Sequence, residues 1–175
     1  MAGTSAVDHR PIILTILLLG AAVLLQTTVL EFVAVFGVKP DLQLILVAFL
    51  ALRRGSMSGQ IAGFVGGLLE DVVTLSPLGF HAIVKALVGF CAGLPFGLIR
   101  ASAVVVPVLL VAGAVVVKGL ASGVLSLAFQ IPLDAHLLEA RFWIESAYNV
   151  ILAPLLFALL SQVRLLRSTS PRPPS

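Results

Sequence analysis

The chain has 175 residues, 59% of them hydrophobic and only 11% charged, with a mean hydropathy of +1.15. A soluble domain is nearer half apolar and a quarter charged, so the composition excludes an ordinary soluble core and indicates a polytopic membrane protein. The net charge of +3 comes with no basic run mixed with aromatics, which argues against a nucleic-acid surface.

The first ten residues end in His9-Arg10, and an apolar run follows from Ile12 to Leu30. That run is too long for a signal peptide and has no clean small-residue cleavage site, so it is expected to be an uncleaved first span, Pro11–Leu30. The next apolar run, "PDLQLILVAFLAL" from Pro40 to Leu52, is short. It reads either as a crossing helix with snorkelling ends or as a re-entrant segment. Four longer candidates follow at Met57–Leu75, Leu78–Ile99, Ala101–Phe129 and Arg141–Leu160.

The arginines favour a crossing. With six spans and the N-terminus inside, Arg10, Arg53, Arg54, Arg100, Arg164, Arg167 and Arg172 share the inner face with the single acid Asp8. The outer face takes Glu31, Lys39, Asp41, Asp134, Glu139 and Arg141. This is a positive-inside pattern. It predicts an all-α bundle of six transmembrane helices with both termini cytoplasmic. Residues 1–166 form a single domain in this reading, and the polar, proline-rich "RSTSPRPPS" from Arg167 to Ser175 is a disordered cytoplasmic tail.

Glycines mark the packing faces, because helices in lipid associate where small residues let backbones approach. Gly59, Gly63, Gly66 and Gly67 are expected on one face of the third span, and Gly89, Gly93 and Gly97 on one face of the fourth. Gly119 and Gly123 play this part in the fifth. Pro95, Pro107 and Pro154 are each placed inside a span, where a proline removes a backbone bond and kinks a helix.

Five charges lie within these apolar runs: Glu70, Asp71, Lys85, Lys118 and Glu145. Measured from the span centres, all fall on the outer side of the midplane. Charges inside a membrane usually face the bundle interior and find partners. The expected cluster pairs Lys85 with Glu70 or Asp71, and Lys118 with Glu145. Helix geometry favours Glu70, which shares the glycine face, while Asp71 lies about 100° round from it. The competing reading leaves both acids wet at the interface, beside the turn at "LSPLG".

Catalytic and metal signals are missing. His9, His81 and His136 assemble no ligand set, "GSMSG" and "GLASG" lack the glycine of a serine elbow, and no phosphate loop occurs. The single cysteine, Cys91, lies in an apolar run and has no partner for an internal disulfide. No enzyme, metal or cofactor is expected.

One stretch carries a family resemblance. "KPDLQLILVAFLALRRGSMSGQIAGFVGGLLEDVVTLSPLGFHAIVKALVGFCAG", Lys39 to Gly93, resembles the rod shape-determining protein MreD family. The matching positions are Pro40, Gly55, Gly59, Gly63, Phe64, Gly67, Leu68, Asp71, Leu78 and Gly79. The resemblance implies a non-enzymatic inner-membrane scaffold of the bacterial cell-elongation machinery, serving lateral peptidoglycan synthesis. It implies MreC as partner, with MreB, RodA and a penicillin-binding transpeptidase in a larger complex, and it places the family's acidic position at Asp71. The family's arrangement is also similar to the substrate-binding membrane subunits of vitamin uptake transporters, which supplies an alternative function.

Overall fold

The computed structural model describes residues 10–29, 38–95, 104–128 and 140–162. These form six α-helices and no strand: α1 (Arg10–Leu24), α2 (Leu42–Arg54), α3 (Ser56–Thr74), α4 (Phe80–Gly93), α5 (Val105–Ala128) and α6 (Ala140–Gln162). A π-helical turn, Leu25–Val29, continues α1. Gly97, the expected last member of the α4 stripe, lies outside the described residues, as does the tail from Arg167.

The short apolar run is the centre of the molecule. Helix α2 packs against all five other helices, and every residue from Gln43 to Ala51 is buried. A helix that is hydrophobic all round belongs inside, and its 13 residues span only about 20 Å. Shortness that would be a defect against lipid costs nothing in a helix wrapped by others. Arg53 and Arg54 close its last turn, where cations suit the helix dipole. Arg53 stacks over Phe49, 5.4 Å from the ring centroid, and Phe49 meets Phe157 of α6 edge-on at 5.2 Å. Only Gly55 joins α2 to α3. Its φ of +88° is open to glycine and strained for other residues.

Helices α3 and α4 form an antiparallel hairpin whose seam is glycine. A Cβ built on Gly63 would land on the Lys85 carbonyl, one on Gly67 on the His81 carbonyl, and one on Gly89 on the Gly59 carbonyl. Gly59 and Gly93 are closed in the same way by Gly89 and by Ser56. The backbones touch at four levels, Gly93–Ser56, Gly59–Gly89, Gly63–Lys85 and Gly67–His81, which any side chain would prevent. Gly66 departs from the expected single face. It turns toward Leu19 of α1 and Gln43 of α2, where an added Cβ would sit 3.0 Å and 3.2 Å from their side-chain atoms. Adjacent residues of a helix point about 100° apart, so with Gly67 against α4 its neighbour Gly66 turns away from that seam.

Two prolines also differ from expectation. Pro107 is the third residue of α5, where the N–H has no intrahelical partner to lose. Pro95 follows the end of α4 at Gly93 and stops the helix, so α4 is shorter than the span Leu78–Ile99. Pro154 alone of the three lies beyond the first turn of its helix.

Helices α5 and α6 are long and apolar enough to cross a membrane, at 24 and 23 residues. Their outward faces expose Leu109, Val116, Leu120, Val124, Ile151, Leu155 and Leu159. A surface this apolar requires an apolar surrounding.

Candidate functional site: an ion-pair cluster at one end of the bundle

The fold brings Glu70, Lys85, Lys118 and Glu145 together around the end of α2 opposite Arg53 and Arg54. Asp41, at the start of α2, lies at the middle of them and is 4% exposed. Its side chain caps α2, with Oδ1 accepting from the Leu44 N–H at 2.9 Å. The same carboxylate accepts from Lys85 Nζ at 3.1 Å, from Lys118 Nζ at 2.8 Å and from Gln26 Nε2 at 3.3 Å. Its backbone N–H donates to Asn149 Oδ1 at 2.7 Å. One residue thus ties α2 to α4, α5, α6 and the π-helical turn.

Lys85 is 1% exposed, and three acceptors satisfy its three N–H groups. Besides Asp41 these are Gln43 Oε1, at 2.5 Å, and Glu70 Oε2. Gln43 also donates from Nε2 to the Gly66 carbonyl at 2.8 Å, which explains why a glutamine sits in a helix otherwise apolar all round. Lys118 bridges Asp41 to Glu145 of α6, whose Oε1 lies 2.5 Å from Nζ. In a low-dielectric region such ions persist only when each has a counter-ion and hydrogen bonds. Here Glu145, Lys118, Asp41, Lys85 and Glu70 form one unbroken chain of alternating sign.

Asp71 belongs to a different arrangement. It is 1% exposed and makes no contact with Lys85. Instead it accepts from the backbone N–H groups of Gly79 at 2.9 Å, His81 at 3.0 Å and Ala82 at 3.3 Å. His81 Nδ1 lies 2.8 Å from Oδ1. The carboxylate of α3 therefore caps the start of α4, whose own N-cap, Gly79, has no side chain to do so. The turn between them needs two left-handed residues, Leu75 at φ +54° and Gly79 at φ +98°.

The cluster faces a cavity of about 510 Å³ open at the same end. Its wall includes Asp41, Glu70, Lys118 and Glu145, with Gln26 and Thr27 of the π-helical turn, His81, Ser122 and Arg141. Lys85 lies behind the wall. Among the described residues no group of three histidine, cysteine, aspartate or glutamate side chains is arranged to hold a metal ion.

The family model for the rod shape-determining protein MreD matches residues 9–163. The chain belongs to the MreD family. No curated protein matches it, and no solved structure does. MreD is a membrane protein of the MreBCD shape machinery, so this chain has a role in rod shape determination. The family is one of shape-determining structural proteins and is not known as a family of enzymes.

Within this MreD chain, the residues that carry the resemblance fall into two structural roles. Gly59, Gly63 and Gly67 line the α3–α4 seam, while Asp71 and Gly79 build the turn that sets it. The ion-pair cluster draws instead on residues with less local signal. Glu70, Lys85, Lys118 and Glu145 are visible in the sequence as charges in apolar runs. Asp41, Gln26 and Asn149 are not, because a polar residue near a span end reads as an ordinary interfacial one. Gln43 is the exception: a polar side chain in the middle of "LQLILVAF" is a signal for a buried partner.

Proposed function

We propose that this MreD chain is a multi-pass inner-membrane scaffold of the cell-elongation machinery, with six crossings and both termini cytoplasmic. In this reading it binds the membrane helix of MreC, and through the complex reaches MreB, RodA and a penicillin-binding transpeptidase. The observation that carries it is the placement of charge. Arg53 and Arg54 close one end of the central helix, and the whole ion-pair cluster lies at the other. The positive-inside rule turns the arginine end to the cytoplasm and the cluster to the periplasmic side. A network that ties five helices together at that end holds the bundle in one shape, which is what a platform for a periplasmic partner requires.

Co-purification with tagged MreC tests the proposal. Wild-type chain should retain MreC in mild detergent. Asp41→Asn, which loosens the cluster, should release it while the chain stays in the membrane. A wild-type chain that retains no MreC would overturn the binding reading.

The cavity favours a second reading, a vitamin-type small-molecule subunit, because Phe80 and Phe142 join the polar wall groups. That reading requires a vitamin-class ligand to raise the melting temperature of the purified chain. The two readings separate on whether Asp41→Asn affects MreC retention or ligand stabilisation.

A further inference from the structure

The cavity wall keeps acceptors that the cluster does not use. Lys85 gives all three N–H groups to Asp41, Gln43 and Glu70. Lys118 gives one to Asp41 and one to Glu145 Oε1, leaving Glu145 Oε2 without a donor among the described residues. Glu70 Oε1 has only His81 Nε2 near it, at 3.9 Å, beyond hydrogen-bond reach. Gln26 Oε1 is buried with no partner, since the amide nitrogen is turned to Asp41. Glu70 and Glu145, each with one such oxygen and each partly exposed, line the same cavity. The charges agree: three carboxylates, Asp41, Glu70 and Glu145, face two ammonium groups, leaving one negative charge without a counter-ion inside the cluster.

Other features describe the rest of the ligand. Arg141 is exposed and lines the same cavity. Beside it Trp143 is 63% exposed, the position of an aromatic side chain at a membrane interface. Val23, Val38 and Phe142 give the wall apolar area. Leu24 and Leu25, next in the chain to the lining residues Val23 and Gln26, are exposed and continue that area onto the outer surface of the bundle. A complementary ligand carries N–H donors and a positive charge at one end, an anion next to it, and an apolar remainder.

We infer that the cavity holds the headgroup of a phosphatidylethanolamine-type lipid. Its ammonium lies toward Glu70 and Glu145, its phosphate lies at Arg141, and its acyl chains leave along α1. A primary ammonium supplies three donors and the missing positive charge in charge-assisted bonds. A choline headgroup has the charge without the donors, and a glycerol headgroup has neither the charge nor a cation to match the acids. The inference does not depend on MreC binding, which co-purification measures separately.

The test uses the full chain in detergent, exchanged with phosphatidylethanolamine, phosphatidylcholine or phosphatidylglycerol of identical acyl chains. Lipid retained on the intact protein is read by native mass spectrometry. Phosphatidylethanolamine should be retained about tenfold over the other two, the preference expected from one or two charge-assisted bonds. Glu145→Gln should reduce that preference, and Arg141→Gln, which removes the cation at the phosphate common to all three lipids, should reduce retention of all three. Arg141 is exposed, so its variant reports on binding even if Glu145→Gln perturbs the fold. Equal retention of the three lipids by the wild-type chain, or undiminished retention of phosphatidylethanolamine by the Arg141 variant, would overturn the inference. Glycerophosphoethanolamine has the same headgroup without tails. If it binds as tightly as the lipid, the site takes a soluble molecule and the lipid assignment fails.

Discussion

Asp41 shows how much one side chain carries when it sits where helices converge. Asparagine at this position keeps the size but leaves both Lys85 and Lys118 without their shared counter-ion. Losing one member of a buried ion pair costs roughly 3–5 kcal/mol. Asp41→Asn is therefore expected to lower the melting temperature in detergent more than Glu70→Gln or Glu145→Gln, each of which strips one lysine of one acceptor. A melting temperature equal to wild type would contradict the central place given to Asp41. The partner of Lys85 is tested by a pair of double-mutant cycles. Lys85→Met with Glu70→Gln should couple by about 0.5–3 kcal/mol, and Lys85→Met with Asp71→Asn should be additive to about 0.5 kcal/mol. Strong coupling in the second cycle would place Asp71, not Glu70, against the lysine. From the sequence, helix geometry favours Glu70 and the family resemblance marks Asp71, and burial does not decide for Glu70, because Asp71 is the deeper of the two. What separates them is the direction of each side chain: Glu70 turns to the lysine behind the seam, and Asp71 to the unsatisfied N–H groups that begin α4.

Among the elements, the α3–α4 hairpin shows the physics of packing without a hydrophobic drive. Gly63→Ala adds one methyl group where the Lys85 carbonyl already stands, and backbone cannot move aside cheaply. The expected loss is about 1–3 kcal/mol, seen as a lower melting temperature and less folded protein. Gly113→Ala is the control. Nothing lies within 4 Å of its added Cβ, and alanine favours a helix over glycine by up to about 1 kcal/mol, so this variant should match or exceed wild type. Equal effects at the two sites would mean that the seam is not close-packed. The turn offers the opposite sign. Leu75 is 91% exposed and left-handed, a conformation that costs a non-glycine residue roughly 1–2 kcal/mol. Leu75→Gly should stabilise the chain by up to about 1 kcal/mol, whereas Gly79→Ala should destabilise it because its φ is positive. Helical spacing makes the seam glycines readable from the sequence. Gly66 is misread by the same logic, since a stripe of small residues says that close approaches occur without saying which neighbour makes each one.

For the whole molecule, topology decides which side of the membrane the cluster faces. Reporter fusions after Arg54, Arg100 and Arg167 are expected to read cytoplasmic, and one near Asp134 periplasmic. A periplasmic signal at Arg54 would sink the six-crossing arrangement and turn the ion-pair cluster to the other side. The central position of α2 bears on this directly. Its burial against all five other helices removes the conflict between a 13-residue helix and a hydrocarbon layer about 30 Å thick. The surrounding helices, not α2, form the outer surface of the bundle.

By itself the sequence determined what is written in local chemistry. An excess of apolar residues leaves helices as the only economical way to satisfy the backbone. Arginines collect at one set of helix ends, and glycines recur at helical spacing. Charges set in apolar runs announce that partners must exist, because an unpaired ion there is too costly to keep. Only the tertiary structure decided who those partners are. Asp41 and Lys118 are 77 residues apart, and Asp41 and Asn149 are 108 apart. No periodicity links positions so distant. They meet because α4, α5 and α6 pack on a central helix whose first turn must be capped.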